Sequence, residues 1–239
     1  MGRAINNFGD LLGPLIVRRV LAMHNIDSRS ARYDRRLLSI GSVLHFARDG
    51  DVIWGTGVNG KKSDIDYTFQ SLDVRAVRGP RTREFLIDRG VAAPGVYGDP
   101  ALLLPVVAPE LARCALTKRY PLTVVPNFND LAQYGSTHSL LDPRSPIDVC
   151  LRRIAHSELV VGSSLHAIIA AESLGIPARV VSSPVEDRFK YEDYYLGTGR
   201  GAAIIAESVD EAVEMGGERA MSFDATRLLR AFPLDLWRS

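Results

Sequence analysis

The chain has 239 residues, 46% of them hydrophobic, and its 29 basic and 28 acidic side chains leave a net charge of +1. That length suits one large domain or two of roughly 100 to 120 residues. The balance lacks the basic excess that tracks a phosphate backbone, which excludes general nucleic-acid binding. The longest apolar stretches, such as Ile168 to Ala171 and Ala101 to Val107, fall far short of the ~20 residues that cross a bilayer.

Cys114 and Cys150 stand apart from each other and from any metal or redox spacing, so neither a disulfide framework nor a zinc site is predicted, and a reducing compartment fits. Residues 1–7 carry no apolar run for a secretory signal, and Asn6 stands where myristoylation wants Ser or Thr. The expectation is a cytoplasmic protein, peripheral to a membrane at most.

Short β-rich runs alternate with helical stretches, the pattern of parallel α/β folds. Asn7-Phe8-Gly9-Asp10 precedes the apolar run from Leu11 to Val17 and presents Asp10 at a helix start. Strands are predicted at residues 36–40, 52–54, 73–77 and 95–97. A helix over 81–88 follows from Pro80, which presets φ, and from Gly90, which takes the left-handed turn; its start sits beside Arg78. Residues 101–121 carry Pro105, Pro109 and Pro121, so the domain crossover is placed there, dividing the chain into 1–105 and 106–239, with the last helix packing back on the first domain.

In the second half, strands are predicted at 122–125, 158–161 and 178–181. Ser145-Pro146-Ile147-Asp148 reads as a helix start with Ser as the cap. A helix begins after Ser164 and ends at Leu174-Gly175-Ile176-Pro177; Ser208 with Glu211 forms a capping box for a helix that runs to Met215 and stops at Gly216-Gly217.

Ligands of open α/β sheets bind outside the carboxyl ends of the strands, so the polar residues just after each apolar run are the candidates. They include Gly41-Ser42, Arg78-Gly79-Pro80, Gly98-Asp99-Pro100, Asn127-Phe128-Asn129-Asp130 and Gly162-Ser163-Ser164-Leu165-His166. In the last of these, a strand runs into Gly-Ser-Ser and at once into a helix whose first-turn amides would face an anion. The following Ala167-Ile168-Ile169-Ala170-Ala171 predicts a buried helix holding His166 rigidly at its start. A helix start disfavours an imidazolium and a bound polyanion favours it, so His166 is expected neutral when empty and protonated when the anion arrives. Arg78 is the candidate for a bidentate grip on that anion, with Arg75, Arg81 and Arg83 as substitutes. His45, after Gly41-Ser42, can reach the same region, whereas His24, His138, His156 and Lys61-Lys62 are read as structural. With no His-Glu-x-x-His, Walker loop, Gly-x-Ser-x-Gly elbow or Cys/His cluster, an anion site without metal or cofactor remains.

Asn7-Phe8-Gly9-Asp10, Arg78-Gly79-Pro80, Gly98-Asp99-Pro100, Val125-Pro126-Asn127-Phe128-Asn129-Asp130 and Ser163-Ser164-Leu165-His166, in this order, resemble the polysaccharide pyruvyl transferases; Phe189-Lys190-Tyr191-Glu192-Asp193-Tyr194-Tyr195 looks like a further family segment. The resemblance implies a GT-B-like fold, two Rossmann-like domains with parallel sheets facing a central cleft. It implies phosphoenolpyruvate as donor, and as acceptor a sugar of a glycan or lipid-linked oligosaccharide, joined as a pyruvate ketal. By motif, His166 would be the acid that protonates the donor's methylene carbon, Asp10 would lie on the acceptor side as a base, and Arg78 would hold the donor's carboxylate or phosphate. Ser163, Ser164, Leu165, Asn7, Gly41, Ser42, His45 and Asn127 complete the expected substrate-binding set. Ser164 stands where some members carry Arg, and only six residues precede Asn7 where relatives carry a strand, so the first sheet is expected to lack an edge. The alternatives are a nucleotide-sugar glycosyltransferase, for which no two Glu residues stand eight apart, and a non-catalytic carbohydrate-binding relative.

Overall fold

A computed structural model of the chain describes residues 7–30, 34–135, 139–218, 221 and 223–237. His138 and residues 1–6, with the expectations attached to them, lie outside the described residues. The chain divides into two compact units: one of Met1–Leu12, Leu104–Glu186 and Ala203–Ala220, the other of Gly13–Leu103, Asp187–Ala202 and Met221–Ser239.

The second of these units is built on a parallel sheet of β1 (Leu37–Leu38), β2 (Val52–Trp54) and β3 (Asp73–Ala76), in that order. All three residues of β2 are buried, as a central parallel strand requires, whereas β3 alternates, with Val74 and Ala76 facing in. The expected strand at 95–97 is reduced to a single parallel bridge from Val77 to Tyr97. Gly95 and Pro94 there offer little to a ladder, since glycine lacks a side chain to pack and proline an N–H to donate. Helix α2 (Pro80–Asp88) begins at Pro80 itself, and Gly90 takes φ +76° after it. Ile53, Tyr67, Phe69, Val77 and Leu86 lie in one core cluster. Helix α9 (Ala225–Arg230), near the chain's end, belongs to this unit, and Trp54 Nε1 donates to Leu228 O at 2.9 Å.

The other unit has β4 (Tyr120–Val124), β5 (Ser157–Gly162) and β6 (Ala178–Val180), again parallel and in sequence order. Short helices α3 (Leu104–Val107) and α4 (Pro109–Ala115) lead into β4. Helix α5 (Ile147–Ala155) buries Cys150, Leu151, Ile154 and Ala155 on one stripe. Its N-cap is Pro146 rather than Ser145, whose amide closes a turn onto Asp142 O at 3.0 Å. Helix α6 (Leu165–Ser173) buries six of its residues, as its all-apolar run predicts, and Gly175 takes φ +73° beyond it. Helix α8 (Val209–Met215) is capped by Ser208, which accepts from the Glu211 amide at 3.1 Å. The Glu211 carboxylate bonds the Glu207 amide at 2.7 Å, not that of Ser208, so the reciprocal half of the box is shifted by one residue. Two remaining long helices are α1 (Phe8–Met23), which crosses from one unit's residues to the other's, and α7 (Phe189–Gly197). Both sheets and their flanking helices give an α/β protein of Rossmann-like character.

Candidate functional site

In the first unit, the carboxyl end of β5 is closely fitted to its neighbour. Gly162 has φ +143°, and a Cβ there would lie 2.1 Å from Val125 O, so the turn admits only glycine. Ser163, wholly buried, donates through Oγ to Asp130 Oδ2 at 2.5 Å and accepts the Asn127 amide at 2.9 Å. Asp130, 1% exposed, also accepts from Ser183 Oγ at 3.1 Å. This network ties the end of β5 to the Asn127–Asp130 segment after β4 and to the segment after β6. Asn127 in turn accepts the Asn129 amide at 2.9 Å. Ser164 is the N-cap of α6 without a side-chain cap bond, and Leu165 packs in the core. A cavity of about 490 Å³ opens beside this network, with Asp130, Tyr134, Ser182 and Glu207 among its walls. Burial pushes the Tyr134 hydroxyl above its usual range, against the hydrogen bond it shares with Ser163.

His166 stands half-buried in the first turn of α6. Against its ring lies Gly9, in the first turn of α1: a Cβ at Gly9 would lie 2.5 Å from His166 Nδ1. Two motifs more than 150 residues apart in sequence thus meet, and the absence of a side chain at Gly9 is what leaves room for the imidazole. Asn7 orders that turn, accepting the Gly9 amide at 3.4 Å and donating through Nδ2 to Asp10 Oδ2 at 3.1 Å. Asp10 is exposed, one residue beyond the contact.

In the second unit, Arg78 is 1% exposed and has a partner on each guanidinium nitrogen: Nε to Asp193 Oδ2 at 3.0 Å, Nη1 to Ser42 Oγ at 2.7 Å, and Nη2 to Val58 O at 3.0 Å. Asp193, fully buried on α7, also accepts the Thr82 amide at 3.0 Å and Thr82 Oγ1 at 2.6 Å. The start of α2 therefore does meet an anion, and that anion is the chain's own carboxylate. The fit is close: a Cβ at Gly57 would fall 2.4 Å from Arg78 Cζ, and one at Gly79 only 1.8 Å from Asp193 O. Gly41, at φ +97°, accepts Thr56 Oγ1 at 2.6 Å and the Gly57 amide at 3.1 Å, which holds the Gly41-Ser42 turn against Arg78.

His45 is half-buried, its ring centroid 4.0 Å from that of Phe46, and among the described residues its buried Nδ1 has no hydrogen-bond partner. Burial, then the charge of Lys62, lowers its pKa, with Asp66 opposing, which favours the neutral ring. Asp99 is fully buried; desolvation raises its carboxyl to about 7 despite the amide of Ala101 and the charge of Arg78.

The other candidates have partners of their own. Arg75 pairs with Asp73 and Asp235, Arg81 with Glu192, and Arg83 donates to Ala93 O at 2.9 Å. His24 is exposed, and His156 Nδ1 lies 2.7 Å from Thr117 O. Cys114 and Cys150 are free thiols, and burial pushes Cys150 up to about 12. Among the described residues no cluster of His, Cys, Asp and Glu could hold a metal, and no helix is long and apolar enough to cross a membrane.

Thr82 was not named by sequence reasoning, and Asp130, Thr56 and Asp193 were read only as members of longer motifs. A signal was present for Asp193, a carboxylate amid Tyr191, Tyr194 and Tyr195, since an acid in a buried aromatic run must be paired.

Two parallel sheets with polar networks at the carboxyl ends of their strands place the chain among Rossmann-like α/β proteins whose ligands bind at those ends. More specifically, it belongs to the polysaccharide pyruvyl transferase family, whose sequence profile matches residues 22–184, a span that includes Arg78 and His166. A similar protein is the succinoglycan biosynthesis protein ExoV of Rhizobium meliloti (strain 1021), 31% identical over 131 residues. That alignment covers 51% of this chain and 39% of ExoV.

Proposed function

We propose that this chain transfers the enolpyruvyl group of phosphoenolpyruvate to a sugar and closes it as a pyruvate ketal, on the precursor of a cell-surface polysaccharide or glycolipid. The observation that carries the reading is the packing of Gly9 against His166, which places an imidazole at a rigid helix start next to the turn that bears Asp10. A GT-B-like architecture, a cytoplasmic location and a reaction without metal or cofactor are parts of this proposal.

In the reaction, protonated His166 gives its proton to the methylene carbon, which leaves C2 oxocarbenium-like. One sugar hydroxyl adds to C2 and its proton passes to a base, for which Asp10 is the proposed group. Phosphate departs, a second hydroxyl adds to C2 with loss of its proton, and the ketal is complete. General acid catalysis of this kind contributes ~10² to 10⁴ in rate, with positioning and charge stabilisation supplying more. Arg78, buried and paired with Asp193, holds the Gly41-Ser42 turn through Nη1 and Ser42 Oγ, and its proposed part is to fix that turn rather than to grip the donor. Asn127 and Ser163 fix the segment before His166 rather than touching the donor.

Thermal unfolding with added ligand tests the donor, because a ligand that binds only the folded state raises its midpoint. Phosphoenolpyruvate should raise it and a UDP-sugar should not; protection by the UDP-sugar alone would favour a glycosyltransferase. Phosphate release from phosphoenolpyruvate should appear only with an acceptor sugar. No phosphate release with any acceptor sugar, together with no protection by phosphoenolpyruvate, would favour a non-catalytic binding relative.

A further inference from the structure

We infer a second ligand site in the Leu104–Glu186 segment, one that takes the diphosphate group of an organic diphosphate ester. A cavity of about 710 Å³ lies where the end of α4, the turn into β4 and the end of α5 converge. Four guanidinium groups line it, those of Arg113, Arg119, Arg152 and Arg153, against one carboxylate, that of Glu110. Arg113 and Arg119 are exposed, and among the described residues neither forms an ion pair. Arg153 is fixed in place, its Cζ 3.5 Å over the Tyr120 ring and its Nε donating to Thr123 Oγ1 at 3.0 Å.

An ordinary reading of these arginines is that they offset the carbonyl ends of α4 and α5. Each helix end presents only about half a negative charge, so two such ends and Glu110 leave a clear positive excess. Planar guanidinium forks grip phosphate oxygens in pairs, and several on one concave wall suit two linked phosphates better than one. Leu140, Leu141 and Val149 form an apolar wall of the same cavity, where the organic part of an ester would lie. The site is distinct from that of His166: Tyr120 and His156 are at the amino ends of β4 and β5, and the six residues of β5 separate that end from Ser163 by about 20 Å. The inference does not depend on the pyruvyl-transfer reading.

The test is calorimetric binding of inorganic pyrophosphate to the whole chain at low salt, with inorganic phosphate, UDP and farnesyl diphosphate as the other arms. Pyrophosphate should bind at least tenfold tighter than phosphate, and Arg113→Ser with Arg119→Ser should weaken it at least tenfold. Val149→Glu, which adds a carboxylate to the wall, should do the same, and each variant should keep its thermal midpoint. His166→Ala should leave pyrophosphate binding unchanged. A tighter UDP than pyrophosphate supports a nucleotide source for the ester, and a tighter farnesyl diphosphate supports a lipid source. No binding, equal affinity for phosphate and pyrophosphate, or loss in His166→Ala but not in the arginine variants would overturn the inference.

Discussion

Replacing Asp193 with Ala removes the carboxylate bonded to Arg78 and two acceptors used by Thr82, all within a buried region. Breaking one side of a buried ion pair costs about 3 to 5 kcal/mol, because the other charge stays buried and uncompensated. Native domains are stable by roughly 5 to 15 kcal/mol, so the loss is a large share of the total. At about 2 to 4 °C per kcal/mol for a chain of this size, the thermal midpoint should fall by about 6 to 20 °C. Thermal unfolding followed by circular dichroism and by Trp fluorescence reads the midpoint, and urea unfolding the free energy, Trp54 lying in the same unit as the pair. Asp193→Asn keeps an acceptor for the Thr82 amide and should cost less. The double variant Arg78→Met with Asp193→Leu should be more stable than Asp193→Ala, since neither charge is then stranded. A loss below about 1 kcal/mol in Asp193→Ala would refute the view of this pair as the structural centre of its unit.

Gly9→Ala should cut turnover by at least about tenfold through displacement of the His166 ring, since effects of 1 Å misplacement reach this size and more; Ala otherwise favours a helix, so a fully active variant would show the contact to be unimportant. Asp130→Asn should lower turnover while leaving the His166 pKa, read by proton NMR, close to its wild-type value, because Asp130 acts by fixing Ser163; a shifted pKa would mean it acts on the imidazole by charge. Asp99 gives a pH prediction. Its carboxyl is raised from 3.8 to about 7, so its favourable contribution is complete below pH 4 and is lost as pH rises through 7. The loss is on the order of 4 kcal/mol at most, and urea midpoints of Asp99→Asn should lack that decline; a parallel decline in the variant would assign it to another group.

The alternation of strands and helices was readable because parallel strands are short apolar runs bounded by turn residues, and six of the seven expected strands are present. The exception, at 95–97, is bounded by Pro94 and opens on Gly95, which has no side chain to pack, and only Tyr97 pairs. Helix ends set by Gly90, Gly175 and Gly216 followed from left-handed backbone that only glycine adopts cheaply. The meeting of Gly9 with His166 was legible only as two separate turns, because nothing local reports which helix start faces which. The same limit applies to Arg78. Its place after a strand was correct, but whether a guanidinium meets a ligand or a carboxylate is decided by Asp193, 115 residues away. The cluster of arginines about Tyr120 left no sequence signature, since it draws on α4, β4 and α5 together.

Steady-state phosphate release from phosphoenolpyruvate, measured with an acceptor sugar for the wild type and for His166→Ala, bears most directly on the proposed chemistry. The variant should keep its circular dichroism spectrum and thermal midpoint and lose at least about a hundredfold in turnover. Near-wild-type turnover in a folded His166→Ala protein would remove the imidazole from the reaction and contradict the account.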